Sequence, residues 1–139
     1  MKSLLPAPLR RMLRSLGLLV LRVGLGGTIL YGHGWDKLSS FREKAGDFYD
    51  PFGLGGTTSL ALATFAEFFC SILVMLGLAT RLAAIPLMGT MGTAFFLYHA
   101  DDPFQIKELA LVYLVGWTTL LLTGPGELSL DALFFREKK

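Results

Sequence analysis

The sequence predicts an all-α, polytopic membrane protein whose four transmembrane helices form a bundle, with one interfacial helix in the first loop and another at the C-terminus. Hydrophobic residues make up 53% of the chain and charged residues only 17%, against about 25% charged residues in an ordinary soluble domain. The charges avoid four long apolar segments and cluster between them. Each segment is apolar all round, whereas a helix of a soluble bundle keeps one polar face.

The four segments are expected to cross the bilayer at about residues 16–33, 60–78, 82–98 and 106–123. A crossing helix needs about 20 residues, with about 17–25 tolerated. The segments lie at the short end of this range, so the alternative is a soluble bundle of four apolar helices, which their lack of a polar face disfavours. With 139 residues, the chain is expected to form a single transmembrane domain over residues 1–139.

Composition also excludes several classes of function. A net charge of +2 is too small to indicate nucleic acid as a partner. Cys70 is the single cysteine and lies inside an apolar segment, so the chain cannot form an internal disulfide or a cysteine-based metal site. No metal site is therefore predicted.

The N-terminal residues resemble a secretory signal, because basic side chains precede an apolar run. No cleavage site of the usual kind follows, so we interpret this region as a retained first span. Lysine and arginine predict the orientation. The side of the termini holds eight of them: Lys2, Arg10, Arg11, Arg14, Arg81, Arg136, Lys138 and Lys139. The other side holds four, which are Lys37, Arg42, Lys44 and Lys107. Both termini are predicted to face the cytoplasm across the cell (inner) membrane.

Two segments outside the spans combine apolar or aromatic side chains with charges, a composition suited to the lipid headgroup level. The first loop contains Phe41, Phe48, Tyr49 and Phe52. The C-terminal segment after Gly126 contains Leu128, Leu130, Leu133, Phe134 and Phe135 beside a basic end. Each segment is predicted to form a short helix on the membrane surface.

Two charged residues interrupt the apolar spans. Arg22 lies in the first span and Glu67 in the second. Counted from the outer ends of the predicted spans, both lie roughly 13–16 Å below the surface at 1.5 Å per residue. Because charges at membrane depth are costly, the two side chains are predicted to form an ion pair. The pair is either a structural link between adjacent helices or part of a functional site, and these interpretations are compatible.

Histidines and aromatic residues supply the remaining candidates. His33 and His99 close the first and third spans, and His33 shares a helical face with Arg22. Two histidines on different helices are able to ligate a haem, but solvation at the interface is the favoured interpretation of each. Tyr113 and Trp117 of the fourth span either line a pocket or pack in the core or against lipid.

The order of motifs along the chain resembles that of the DoxX family of small four-span membrane proteins. The resemblance runs from about residue 22 to 131. The residues that carry it are Arg22, the segment His33-Gly34-Trp35-Asp36-Lys37-Leu38, Glu67, the turn Gly77-Leu78-Ala79-Thr80-Arg81-Leu82-Ala83-Ala84, His99, Glu108-Leu109-Ala110, Gly124-Pro125-Gly126 and Leu128-Ser129-Leu130-Asp131. It implies a four-helix membrane bundle and a link to redox chemistry, since related proteins are described as subunits of thiosulfate:quinone oxidoreductase or as partners of thiol- and oxidant-handling enzymes.

With this resemblance, the residues predict a membrane component of a quinone-linked oxidoreductase system. The quinone would bind in the outer half of the bundle, between the first, second and fourth spans. Its site is predicted at Arg22, Glu67, His33, Tyr113 and Trp117, and the candidates for proton transfer are His33, His99 and Glu67. Electrons would come from a protein partner, because the chain carries no flavin, iron–sulfur or nicotinamide motif. The alternative is a non-catalytic accessory or assembly subunit of a larger membrane complex. In either case the chain is expected to associate with a protein partner or to form a homo-oligomer within the lipid bilayer.

Overall fold

Residues 5–135 are described by the structure, a computed structural model. Lys2, Arg136, Lys138 and Lys139, which contribute to the predicted orientation, lie outside the described residues. Within residues 5–135 the regular structure is helical, without a β-strand. The helices are α1 (Ala7–Ser39), α2 (Phe41–Lys44), α3 (Gly56–Leu76), α4 (Thr80–Tyr98), α5 (Phe104–Thr123) and α6 (Leu130–Phe134). The prediction of an all-α protein is confirmed.

The helices α1, α3, α4 and α5 are each long and apolar enough to cross a membrane, which confirms the four-span bundle. Each of α1 and α4 packs against both α3 and α5. Large apolar side chains on the outer faces are exposed, for example Leu82 at 72% and Leu122 at 73%, as expected of surfaces that contact lipid. We call the end of the bundle that carries residues 40–55 the loop side, and the opposite end, where α1 begins, the termini side.

The first helix is longer than its predicted span. It begins at Ala7 and ends at Ser39, 33 residues in all, which correspond to roughly 50 Å against about 30 Å for the hydrocarbon core. At both ends of the helix, charged and aromatic residues interrupt the apolar pattern, but these residues are compatible with a helix. The apolar segment is therefore shorter than the helix. Because the depth of Arg22 was counted from the end of that segment, Arg22 lies farther from the loop-side end of α1 than predicted.

Three of the long helices contain a π-helical segment toward the loop side. These segments are Leu30–Gly34 in α1, Phe65–Cys70 in α3 and Ala94–Tyr98 in α4. A π-helical segment inserts an extra residue into the helical repeat and is frequent at functional sites. Here the segments carry His33 and Glu67, and the third ends immediately before His99.

Close packing between α1 and α3 depends on two glycines. A Cβ atom at Gly34 would lie 2.3 Å from the carbonyl oxygen of Glu67, and one at Gly26 would lie 2.5 Å from the Met75 side chain. The two helices therefore approach as small residues allow in membrane bundles. This contact also fixes the relative depth of the helices, with Gly34 opposite Glu67 and Gly26 opposite Met75.

Short helices occur in both segments predicted to be interfacial. In the first loop α2 spans one turn, and the following residues fold over α3, where the Asp50 carboxylate accepts hydrogen bonds from Leu54 N at 2.9 Å and from the Ser59 hydroxyl at 2.8 Å. At the other end, α6 begins at Leu130 after Ser129, whose hydroxyl accepts a hydrogen bond from Ala132 N at 3.1 Å. The loop after α2 is therefore held to α3 by polar contacts, and α6 is capped at its N-terminus.

Candidate functional site

A large cavity opens on the loop side of the bundle. Its volume is about 1160 Å³, and all four long helices and the first loop contribute to its wall. Most of its lining area is apolar. The polar side chains that the four long helices contribute are His33, Lys37, Ser59, Glu67, Thr90, Thr93, Tyr98 and Tyr113, and those outside them are Glu43, Lys44, Asp47, Tyr49 and His99. An apolar cavity with a few convergent polar groups is the usual form of a small-molecule site.

The cavity penetrates well into the bundle. Along α4 its lining runs from Tyr98 to Pro86, twelve residues that correspond to roughly 18 Å. On α5 the inward-facing Ile106 and Leu109 are 56% and 54% exposed because the space in front of them is open. The core closes only below this level, where Trp117 and Leu120 are fully buried.

An ion pair between Lys37 and Glu67 lies in the cavity wall. The Lys37 Nζ atom is 2.5 Å from Glu67 Oε2, and the side chains are 16% and 6% exposed. Lys37 follows His33 by one helical turn, so both project from one face of α1. An unpaired carboxylate at this depth would be costly, and Lys37 supplies the compensating charge. The pair thus provides a proton donor and a proton acceptor that both border the cavity.

The histidines lie at the upper part of the cavity. His33 is half-buried in the π-helical segment of α1 and borders the cavity. His99 follows α4, and its Nδ1 is 2.6 Å from Asp102 Oδ2. A carboxylate that holds one ring nitrogen orients the imidazole and leaves the other nitrogen available for proton transfer.

The two aromatic candidates of α5 take different positions. Tyr113 borders the cavity, and its hydroxyl makes no hydrogen bond with a described residue. Trp117 lies one turn deeper, is fully buried and stacks on Tyr113, with ring centroids 6.1 Å apart and an interplanar angle of 13°. Trp117 therefore supports the Tyr113 ring from behind, outside the cavity wall.

The predicted ion pair between Arg22 and Glu67 is wrong. Arg22 lies on the termini side, where its guanidinium donates hydrogen bonds to the carbonyl oxygens of Met75, at 2.5 Å, and Leu128. Glu67 is opposite Gly34, twelve residues along α1 from Arg22, a separation of roughly 18 Å. The reason is that α1 continues to Ser39, six residues beyond His33 where the predicted span ends, so Arg22 lies farther from the loop side than the apolar segment predicts.

Arg22 instead belongs to a polar cluster that we call the Arg22 clasp, made of Arg22, Gly77, Leu128 and Asp131. Asp131 accepts hydrogen bonds from Ala79 N at 2.7 Å and Thr80 N at 3.0 Å, and its own N–H donates to Gly77 O at 2.8 Å. The clasp joins α1, the turn between α3 and α4, and the C-terminal segment. It explains structurally why the motifs at residues 77–84 and 128–131 occur together with Arg22.

Gly77 is required in the clasp for two reasons. Its φ is +71°, a conformation that favours glycine. In addition, a Cβ atom there would lie 2.5 Å from Ser129 Cβ and 2.7 Å from an Arg22 guanidinium nitrogen. The turn is thereby shaped to admit the buried guanidinium.

The structure thus divides the predicted site residues. His33, Glu67, His99 and Tyr113 border one cavity, whereas Arg22 and Trp117 lie outside it. Lys37, one of the basic residues assigned to the outer side, is the partner of Glu67, and this pair was not predicted from the sequence. The face that joins Arg22 to His33 along α1, continued by one turn, would have identified it.

Comparisons with known proteins agree with the bundle. The model of the DoxX family matches residues 17–100, from the first span to the end of the third. A Haemophilus influenzae protein is 30% identical over 104 residues, which cover 71% of this chain and 69% of that protein. A second protein of the same organism is 36% identical over 92 residues, 61% of this chain and 69% of its own length. Both are described as uncharacterized proteins. No solved structure matches the chain.

Proposed function

This chain belongs to the DoxX family, and on that premise we propose that it is an integral membrane component of a redox system and binds a quinone in the loop-side cavity. The observation that carries the proposal is the Lys37–Glu67 pair in the wall of a large, mainly apolar cavity. A quinone ring requires an apolar slot together with donors to its two carbonyl oxygens. The proposal is consistent with the redox link that the family resemblance implies.

The residues that border the cavity suit the proton chemistry of a quinone. Reduction of a quinone to a quinol takes up two electrons and two protons. Lys37 and the Tyr113 hydroxyl are placed to donate hydrogen bonds to carbonyl oxygens, and the imidazoles of His33 and His99 are able to accept and release protons. Electrons would come from a protein partner. In this proposal Arg22 has a structural role only, through the clasp.

The orientation predicted from lysine and arginine completes the proposal. With both termini in the cytoplasm, the cavity opens toward the outer face of the cell membrane. The two protons that reduction of the quinone consumes would enter from the outer side, by way of His99 and Asp102 near the mouth of the cavity.

The proposal is tested by measuring quinone binding to purified protein in lipid nanodiscs with two matched variants. Tyr113→Phe removes one hydroxyl from the cavity, whereas Tyr31→Phe removes the same group from a side chain that is 87% exposed and outside the cavity. Loss of one hydrogen bond of about 0.5–1.5 kcal/mol weakens binding roughly 2- to 12-fold. We expect that loss for Tyr113→Phe and no change for Tyr31→Phe.

The opposite result would favour the other candidate function. A linear uptake of quinone that does not saturate and is identical in both variants would reflect partitioning into lipid. The chain would then be better described as an accessory or assembly subunit, and the Lys37–Glu67 pair as a contact that stabilises α1 against α3.

A further inference from the structure

The wall of the cavity contains side chains that also face lipid. On α3, Leu62 and Phe65 border the cavity and are 55% and 51% exposed. With Phe69 they occupy positions i, i+3 and i+7, one face of the helix, and Phe69 is exposed outside the cavity. This face is therefore the lipid-facing one, and the cavity reaches it.

The neighbouring helix shows the same arrangement. Gly89 of α4 is exposed and borders the cavity. It shares a face with Leu82 and Ile85, which are 72% and 53% exposed and lie outside the cavity. The cavity thus reaches the lipid-facing surfaces of both α3 and α4.

The two sets of residues are at the same depth. Phe65 is nine residues from the loop-side end of α3 at Gly56, and Gly89 is nine residues from the loop-side end of α4 at Tyr98. Each lies roughly 14 Å below its helix end. The helices pack together along Phe65–Cys70 and diverge toward the loop side. We call the resulting gap, bordered by Leu62, Phe65 and Gly89, the lateral opening.

The first loop covers the cavity from above. The Tyr49 ring packs edge-on against Tyr98, with ring centroids 5.0 Å apart. Asp50 fixes the following residues through Gly55 N, at 2.7 Å, and the Ser59 hydroxyl. The upper wall combines apolar residues of this loop, among them Phe48, Pro51 and Phe52, with the charged residues Glu43, Lys44 and Asp47. The loop therefore covers part of the cavity on its aqueous side, whereas the lateral opening faces the hydrocarbon layer.

From these observations we infer that the ligand enters from the bilayer through the lateral opening, and hence that it is a membrane-dissolved quinone with a long apolar tail. The inference rests on the proposed function. The ring would lie near Lys37 and Tyr113, and the tail would leave between α3 and α4. The cavity volume of about 1160 Å³ exceeds the roughly 300–1,000 Å³ common for small-ligand pockets, in agreement with a ring plus the first part of a tail.

The test measures the binding of two ligands to the protein in nanodiscs: a quinone ring without a tail, and the same ring with an isoprenoid tail. Both ligands are compared at the same mole fraction relative to lipid. Gly89→Phe fills the lateral opening without a clash, since a Cβ atom at Gly89 has no atom within 4 Å. The matched control is Gly24→Phe, because Gly24 is also an exposed helical glycine with open space around its Cβ position and lies outside the cavity.

We expect Gly89→Phe to weaken binding of the tailed quinone by at least about tenfold, the equivalent of losing the burial of about two methylene groups. Binding of the tail-free ring to Gly89→Phe should change by less than about twofold. Gly24→Phe should leave the binding of both ligands unchanged. Equal losses for both ligands, or no loss for either, would overturn lateral entry while leaving quinone binding established. Absence of saturable binding of both ligands to the unmodified protein would overturn the proposed function itself.

Discussion

The partner of Glu67 is open to a direct energetic test by double-mutant cycles. The structure pairs Glu67 with Lys37 at 2.5 Å and places Arg22 roughly 18 Å away along the helix axis. In Lys37→Gln the carboxylate, 6% exposed, loses its compensating charge. Removing one partner of a buried pair costs about 3–5 kcal/mol, and the partial exposure of Lys37 favours the lower value. We therefore expect a loss of about 3 kcal/mol in the free energy of unfolding for Lys37→Gln or Glu67→Gln.

The combined variants distinguish the two pairings. Lys37→Gln with Glu67→Gln should recover about 1–3 kcal/mol relative to the sum of the single effects, as interacting neighbours do. Arg22→Gln with Glu67→Gln should be additive within about 0.5 kcal/mol, because sites separated by more than about 10 Å rarely couple. Unfolding in mixed micelles with increasing dodecyl sulfate, followed by Trp117 fluorescence in a Trp35→Phe background, provides the free energies. Coupling of Glu67 with Arg22, and none with Lys37, would refute the assignment.

Three further predictions concern the clasp, the loop and the orientation. Gly77→Ala should destabilise the protein by about 1–3 kcal/mol more than Gly53→Ala, because both glycines have positive φ but only Gly77 has atoms within 4 Å of its Cβ position, and equal losses in thermal unfolding would contradict this. Hydrogen bonds from the Ser59 hydroxyl and from Gly55 and Leu54 N–H lower the pKa of Asp50, so the loop contact is present above the usual Asp pKa and is lost as pH falls through the lowered value. The protection factors of the Leu54 and Gly55 amides against hydrogen exchange should fall there, and protection that does not change with pH would contradict it. In a Cys70→Ser background, a cysteine introduced by Gly46→Cys should react with an impermeant reagent on intact cells, and labelling only after membrane rupture would reverse the predicted orientation.

Composition was sufficient to predict the membrane bundle because hydrocarbon imposes one strong constraint on each crossing helix. Apolar runs long enough to span must be helices, since their backbone groups have no other partners in lipid. Hydropathy does not show where a helix ends, however, because a helix is able to continue beyond the hydrocarbon layer. Residues such as Arg14 and Lys37 end the apolar pattern at the headgroup level, but α1 continues through both. Depth estimated from hydropathy was therefore wrong for Arg22.

The pairing of polar residues needed the structure for a further reason. The π-helical segments Leu30–Gly34 and Phe65–Cys70 shift the helical register, and an apolar sequence carries no pattern that distinguishes a π turn from an α turn. The clasp depends on contacts between residues 22, 77 and 131, which are far apart in the chain. One part of the C-terminal segment is predictable from the local sequence, because serine is a common N-cap residue and Ser129 directly precedes α6.

The central claim, that the loop-side cavity holds a quinone, is tested most directly by photolabelling. An azido-substituted quinone is irradiated with the protein in nanodiscs, and the labelled peptides are identified by mass spectrometry with and without excess unlabelled quinone. The proposal predicts labels near Met91 and Tyr113, which are largely buried and border the cavity, and their loss under competition. Labels confined to lipid-facing residues such as Val20 and Leu122, unchanged by competition, would contradict it.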